Sequence, residues 1–305
     1  MWQKIERNQV FYSSILFWLL WSTVSAYASG RPLLERPLPV NPPPEAPARI
    51  VSLAPSITEL LFALGIGERV VGVTRHCNFP PQVRNLPKVG SYVNLDIERI
   101  AALRPDLCLA IKDGNPKATV LRLESIGIPV YAMDPRNLEE VLRTVEELGA
   151  LIGTQPEAAR LVEKARSRIR AVEEAVAGAG RPPRVFFQIG DSPVVSAGPG
   201  TFIDDLIARA GGENLASGPS RYPKFSREEV LILSPEVLVV TSMSDGSNGR
   251  QVLEGWLRWD SLPAVRDGRI FLVDPDLFHR AGLRLVDGLE VLAQLIHPER
   301  FKAFQ

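Results

Sequence analysis

Residues 154–179 constrain this chain more than any other stretch, because they read as one long helix. Thr154 stands where it can cap the N-terminus, Pro156 falls in the first turn where its missing N–H costs nothing, and neither Gly nor Pro follows until Gly178. Ala158, Val162, Ala165, Ile169, Val172 and Val176 recur in steps of four and three, drawing one apolar stripe down a rod roughly 35 Å long at about 1.5 Å per residue. The other face carries Glu157, Arg160, Glu163, Lys164, Arg166, Arg168, Arg170 and Glu173. Such a helix lies along other structure rather than inside it. Strand-and-helix units flank it on both sides, so it reads as a strut between two lobes.

The two flanks resemble each other. Before the strut, β-branched or apolar runs at 49–53, 70–73, 107–110 and 130–132 alternate with helical patterns at 57–64, 97–103, 116–126 and 138–152. After it and the breaker 178–183, strands at 184–188, 194–196, 237–240 and 270–273 alternate with helices at 202–210, 226–233 and 283–296. This alternation predicts an α/β fold of two Rossmann-like lobes with parallel sheets, joined by one long helix, with a ligand cleft between them. The echo reaches the residues: 95–107 aligns without gaps to 225–237 at a constant offset of 130 (228 − 98). Each copy has a polar cap, a short amphipathic helix, a proline that stops it and an acidic residue before a buried strand. The expected organisation is 1–28 signal peptide, 29–48 Pro-rich leader, 49–153 N-terminal lobe, 154–179 connecting helix and 180–305 C-terminal lobe.

The signal-peptide reading rests on Lys4 and Arg7 ahead of an apolar run at 10–21 and small residues at Val24, Ser25, Ala26 and Ala28. The alternative, an uncleaved membrane anchor, calls for about 20 apolar residues, more than the run supplies. Neither cysteine, Cys77 nor Cys108, stands just after this segment where a lipid would attach, so the expected location is the periplasm. Cys108, within an apolar run, reads as a buried core thiol and Cys77 as a loop residue. The proline-dense leader reads as a semi-rigid spacer. Lys plus Arg and Asp plus Glu are equal at 35 each, which argues against nucleic acid as a partner.

In open parallel sheets ligands sit beyond the carboxyl ends of the strands. The loops and strand ends there supply the candidate ligand contacts: Pro55, Ser56, Arg75, His76, Tyr92, Lys112, Gln188, Asp191, Tyr222, Phe278, His279 and Arg280. Hydroxyls, amides and single rings of this kind suit one bulky, polar small molecule. His297, at the end of the closing helix, reads as a cap or surface residue. An imidazole from His76 or His279 can approach a metal centre in the cargo, although loop histidines serve more often as hydrogen-bond partners. No resident metal site or cofactor is legible.

Residues 49–61, Val71-Gly72-Val73-Thr74, Phe79-Pro80-Pro81, 95–106, Ser226-Arg227-Glu228 and Asp276-Leu277-Phe278-His279-Arg280 together resemble the helical-backbone (class III) periplasmic binding proteins of ABC importers, most nearly the vitamin B12-binding branch. The resemblance runs from about Arg49 to about His297. It implies lobes that change their opening only slightly, a monomer, and delivery of cargo to a membrane permease dimer. It also implies that Glu98 and Glu228, one on each lobe, pair with arginines of the permease, with Glu229 a possible substitute for its neighbour. The implied cargo is a metal-containing macrocycle or chelate: a corrinoid (cobalamin or cobinamide), with haem or a ferric siderophore as alternatives. At three places where the B12-binding branch carries rings, this chain has Tyr92, Ile111 and Leu277. Tyr222 and Phe278 supply aromatic surface nearby. Tyr92 follows Val89-Gly90-Ser91 one residue out of register with the haem-binding motif, and Arg75, Lys112, Arg221 and Arg280 would suit an anionic siderophore.

Catalysis is not expected. The chain has no G-x-G-x-x-G after a strand, no G-x-S-x-G elbow and no P-loop, and nothing in the order of Asp191, Ser192 and His279 makes them a catalytic set.

Overall fold

The computed structural model describes residues 47–241 and 247–301. The expected signal peptide and all of the Pro-rich leader but its last two residues lie outside that range.

The first half alternates as its hydrophobic pattern requires. Strands β1 (Ile50–Ser52), β2 (Val70–Val73), β3 (Leu107–Ile111) and β4 (Val130–Met133) form a four-stranded parallel sheet in the order β2-β1-β3-β4. Helices α1 (Pro55–Ala63), α2 (Ile97–Ala102), α3 (Lys117–Ser125) and α4 (Leu138–Ile152) pack around it. Gly153, left-handed at φ 78°, ends α4, and α5 (Gln155–Val176) begins two residues later.

The second half contains β5 (Arg184–Gly190), β6 (Val194–Ser196), α6 (Phe202–Arg209), β7 (Glu213–Asn214), β8 (Lys224–Phe225), α7 (Arg227–Leu233), β9 (Val237–Val240), α8 (Ser247–Trp256), α9 (Pro263–Arg266), β10 (Ile270–Leu272), α10 (Pro275–Phe278) and α11 (Leu285–Ile296). Its sheet is mixed, which corrects the expectation of two parallel sheets. Strands β10, β9, β5 and β7 are parallel, but β5 turns at Pro193 into antiparallel β6, and β8 adds antiparallel to that edge. The connection from β5 to β6 is only three residues long, and a parallel return needs a crossover of a dozen or more.

The duplication is visible in hydrogen bonds. The Arg49 amide donates to Asp106 Oδ2 (2.9 Å), while the Asp106 amide returns a bond to the Arg49 carbonyl (2.8 Å). In the second half Arg184 and Glu236 make the same exchange, at 2.8 and 2.9 Å. The acidic residue of each repeat therefore fastens the start of the lobe's first strand. Both arginine side chains also donate to carbonyls at the end of the repeat helix, Arg49 to Leu103 and Arg184 to Ser234. Arg104 (φ 46°) and Ser234 (φ 50°), again 130 apart, are the non-glycine residues with positive φ among those described.

Helix α5 buries Ala158, Val162, Ala165, Ile169 and Val172, the stripe expected for it, with Val176 partly covered. It is nevertheless more than a strut lying outside two lobes. Those five side chains belong to a single apolar core that includes Ile50, Leu107 and Leu109 of the first sheet and Val185, Phe187 and Val237 of the second. Thr154 occupies the cap position but makes no side-chain cap bond, and its hydroxyl is buried without a partner among the described residues. The α4–α5 junction is instead held by the Thr154 amide donating to the Gly149 carbonyl at 2.7 Å.

Gly149 is required there, since a Cβ at this position would lie 2.4 Å from that of Ala158. Alanine would recover about 1 kcal/mol of helix propensity while forcing the helices apart, so the two effects partly offset. Valine adds bulk without that gain. Gly149→Val is expected to destabilise the protein by about 1–3 kcal/mol, measured by urea denaturation.

Candidate functional site

Loops and helix starts of the two halves meet at two places. The first is a mouth. Asp113, just beyond β3, accepts from Tyr222 Oη at 3.3 Å and stands 3.5 Å from Arg221 Nη2. The Arg221 guanidinium lies 5.6 Å from the Tyr222 ring centroid. Burial and the nearby Asp113 carboxylate raise the Tyr222 phenol pKa, and Tyr92, close by on the first half, adds to the shift.

Tyr92 is positioned by its neighbours. Its ring lies so close to Gly114 that a Cβ there would meet it at 2.6 Å, and Gly114 has φ 153°. Its carbonyl accepts from Asn115 Nδ2 (2.6 Å), while Asn115 also donates to the Leu53 carbonyl and accepts from the Ile111 amide. Asn115 is 5% exposed and organises the loop, a role the sequence reading missed. An asparagine followed by proline, a turn-forming pair, was the available signal.

The second meeting place is a buried root. Arg280 Nη1 contacts Glu59 Oε1 on α1 at 2.5 Å and Asn78 Oδ1 at 2.8 Å; Nη2 contacts Asp276 at 2.5 Å and the His76 carbonyl at 3.4 Å. Arg284 reaches the same Glu59 oxygen at 3.4 Å and lies 4.7 Å from the Phe79 ring centroid. Asn78 donates to Asp276 at 3.1 Å. Burial pushes the Glu59 carboxyl above its usual range, against the pull of Arg280 and Arg284.

The two places differ in strength. The side chains of Arg221 and Asp113 are 36% and 51% exposed, and pairs of that kind contribute about 0–1 kcal/mol. Those of Arg280 and Glu59 are 10% and 6% exposed, and removing one partner of such a buried pair costs about 3–5 kcal/mol.

Three expected contacts are occupied elsewhere. Arg280 is the centre of the root rather than a free basic group. Phe278 is fully buried with its ring centroid 5.2 Å from that of Phe187, so it belongs to the core. Gln188 is 1% exposed; it donates to the Gly190 carbonyl and accepts from the Trp256 indole at 2.6 Å. The strand pattern puts the end of β5 at the cleft, but α8 brings Trp256 over it. Asp191 stands 3.6 Å from Arg227, whose guanidinium lies over the Trp256 ring.

His279 Nε2 is 2.7 Å from Thr241 Oγ1, so it bonds to threonine and not to Asp191. His297 caps α11, but it is buried, with Nε2 3.1 Å from the Gly211 carbonyl, and is therefore not a surface residue. Arg75, His76 and Lys112 are exposed at the first half's loops, Pro55 is half-buried and Ser56 buried where α1 starts. Among the described residues no group of three or more His, Cys, Asp or Glu side chains is placed to hold a metal. Cys77 and Cys108 are both buried and free. Burial raises the Cys108 thiol pKa to about 12.

Glu98 and Glu228 are exposed on the equivalent helices α2 and α7, and neither has an ion pair among the described residues. Glu229 is occupied: its carboxylate accepts from the Ser226 amide at 2.6 Å in a capping box. A groove between α4, α5 and α6 contains Arg166, Arg170 and Arg209, each ion-paired to a glutamate, so it offers no uncommitted charge.

Residues 50–277 match the family described as periplasmic binding protein. The chain belongs to that family. It is a family of transport binding proteins rather than enzymes, whose members bind a ligand outside the cytoplasm and deliver it to an ABC permease. The chain is 32% identical over 262 residues to the uncharacterized ABC transporter substrate-binding lipoprotein YvrC of Bacillus subtilis (strain 168), covering 84% of this chain and 82% of that one. It is 31% identical over 253 residues to the vitamin B12-binding protein of Photorhabdus laumondii, covering 83% and 89%. The crystal structure of a periplasmic heme binding protein from Pseudomonas aeruginosa superposes with a TM-score of 0.75 at 30% identity, covering 83% of this chain and 93% of that one.

Burial lowers the His279 pKa to about 4, with Asp276 pulling weakly the other way, so the ring is neutral at pH 7. The folded value lies below the unfolded one, so the unfolded chain binds more protons between the two. The stability this ring contributes is complete above about pH 6.5 and is lost as pH falls toward 4. Urea titrations at pH 7 and at about pH 4.5 should show a larger acid loss in the wild type than in His279→Gln.

Proposed function

We propose that this protein captures a corrinoid, cobalamin or cobinamide, in the cleft between its halves and hands it to an ABC permease. The observation that carries the reading is the pair of tyrosines, Tyr92 and Tyr222, brought from opposite halves to one mouth beside Arg221. Rings from both sides suit a large, flat, partly apolar cargo, whose desolvation supplies affinity while polar loop groups fix its orientation. The relative in Photorhabdus laumondii named as vitamin B12-binding supports the same cargo. Haem is the second reading, favoured by the Pseudomonas aeruginosa structure and by the neutral His279.

In this reading residues 49–153 and 180–305 are the two lobes, 154–179 is the connecting helix, and the protein works as a monomer in the periplasm after residues 1–28 are removed. Glu98 and Glu228 are the docking groups, because equivalent helices of a duplicated carrier present the same charge to a two-fold permease. Exposed charges of this kind mainly set encounter rate and orientation.

Titration with cyanocobalamin, cobinamide and haem, followed by absorbance, tests the cargo. Tight stoichiometric binding of a corrinoid is expected, and Tyr222→Ala should weaken it about ten-fold, equivalent to about 1.4 kcal/mol. Binding of haem alone would replace the first reading with the second. Replacing Glu98 and Glu228 together by Ala should leave cargo affinity within about two-fold while cutting uptake into cells at least about ten-fold.

A further inference from the structure

Two contacts cross the cleft, and their chemistry assigns them different mechanical roles. At the root, four donors of one planar guanidinium are divided between the halves: Arg280 bonds to Glu59, Asn78 and the His76 carbonyl on the first half and to Asp276 on its own. Asn78 returns a bond to Asp276, and Arg284 reaches Glu59 from the second half. A guanidinium held through both terminal nitrogens fixes direction as well as distance, because its fork is rigid. Breaking this set inside the protein would leave charges with neither partner nor water. At the mouth, by contrast, Asp113 faces Tyr222 and Arg221 where water can replace each lost bond.

We propose that Glu59 and Arg280 are positioning residues forming a fixed pivot that sets the angle between the two halves, and that the Asp113 contact with Tyr222 and Arg221 is the gate that parts around that pivot. The pivot holds the tyrosines of the two halves at their working separation. Its effect on the angle is independent of cargo, while its effect on affinity rests on the cleft reading above.

The test places spin labels at Glu98→Cys and Glu228→Cys, exposed positions on α2 and α7 that take part in neither contact, and reads the distance between them in the cargo-free full chain. The parent protein and Asp113→Ala are expected to give one narrow distance at the same position. Glu59→Gln and Arg280→Lys should each broaden and lengthen it, and each should weaken cyanocobalamin binding about ten-fold. Lysine keeps the charge of Arg280 but not its fork, so an Arg280→Lys protein with the parent distance would overturn the pivot. Asn78→Ala, at an exposed position, removes two of the crossing bonds without leaving a buried charge. It serves if Glu59→Gln does not fold, and an unchanged distance there would likewise overturn the proposal. A lengthened distance in Asp113→Ala would assign the restraint to the mouth instead and also overturn it. Should no corrinoid bind the parent protein, the cargo reading fails while the distances still decide the pivot.

Discussion

The apolar stripe of α5 is the constraint on which the rest of the structure depends. Each of its larger members, Val162, Ile169 and Val172, contributes about 1.5–3 kcal/mol when fully buried, and it does so in a core that both sheets share. Removing the stripe would separate two half-cores, each with its own outer cluster, one around Val51, Leu53 and Cys108, the other around Phe186, Leu238 and Trp256. A cleft whose walls belong to one continuous core can vary its opening without losing its register. That is the property a carrier needs if it is to admit a bulky cargo yet present a constant face to a permease.

The duplication explains why the same small devices recur. In each half an arginine at the start of the first strand exchanges bonds with an acidic residue just ahead of a neighbouring parallel strand, β3 or β9, and its side chain also bonds the end of the helix before that strand. The sequence offered the acidic residue and the proline of each repeat as a pattern. Their role as strand fasteners is a property of the fold alone, because the partner arginines lie 57 and 52 residues upstream. Where the halves differ, the difference is local. The short β5–β6 turn forces an antiparallel edge on the second sheet, and nothing in the alternation of strands and helices announced it.

The long helix, its buried stripe and nearly every strand core were legible because their periodicity is set by burial on one face. The short elements α8, α9 and α10 were not, since Gly and polar residues dominate α8, where Val252 and Trp256 mark the buried side, and α9 and α10 are only four residues long. The candidate site was legible in part. Tyr92 and Tyr222 lie in loops, and Glu98 and Glu228 lie on the paired repeat helices α2 and α7, as the alternation of elements predicts. Arg280, Phe278 and Gln188 lie near the cleft in sequence terms, but their side chains are occupied by Glu59, Phe187 and Trp256, partners up to 221 residues away. Sequence order identifies which loops reach a cleft; it does not say which side chains in those loops are already bonded.

If the two sheets are one mechanical unit because α5 gives them a common core, they must also melt as one. Differential scanning calorimetry of the cargo-free protein measures this directly. A single transition whose calorimetric and van't Hoff enthalpies agree is the expected result. Two separable transitions, one for each sheet, would mean that the halves are independent bodies tethered by a helix, contradicting the shared core.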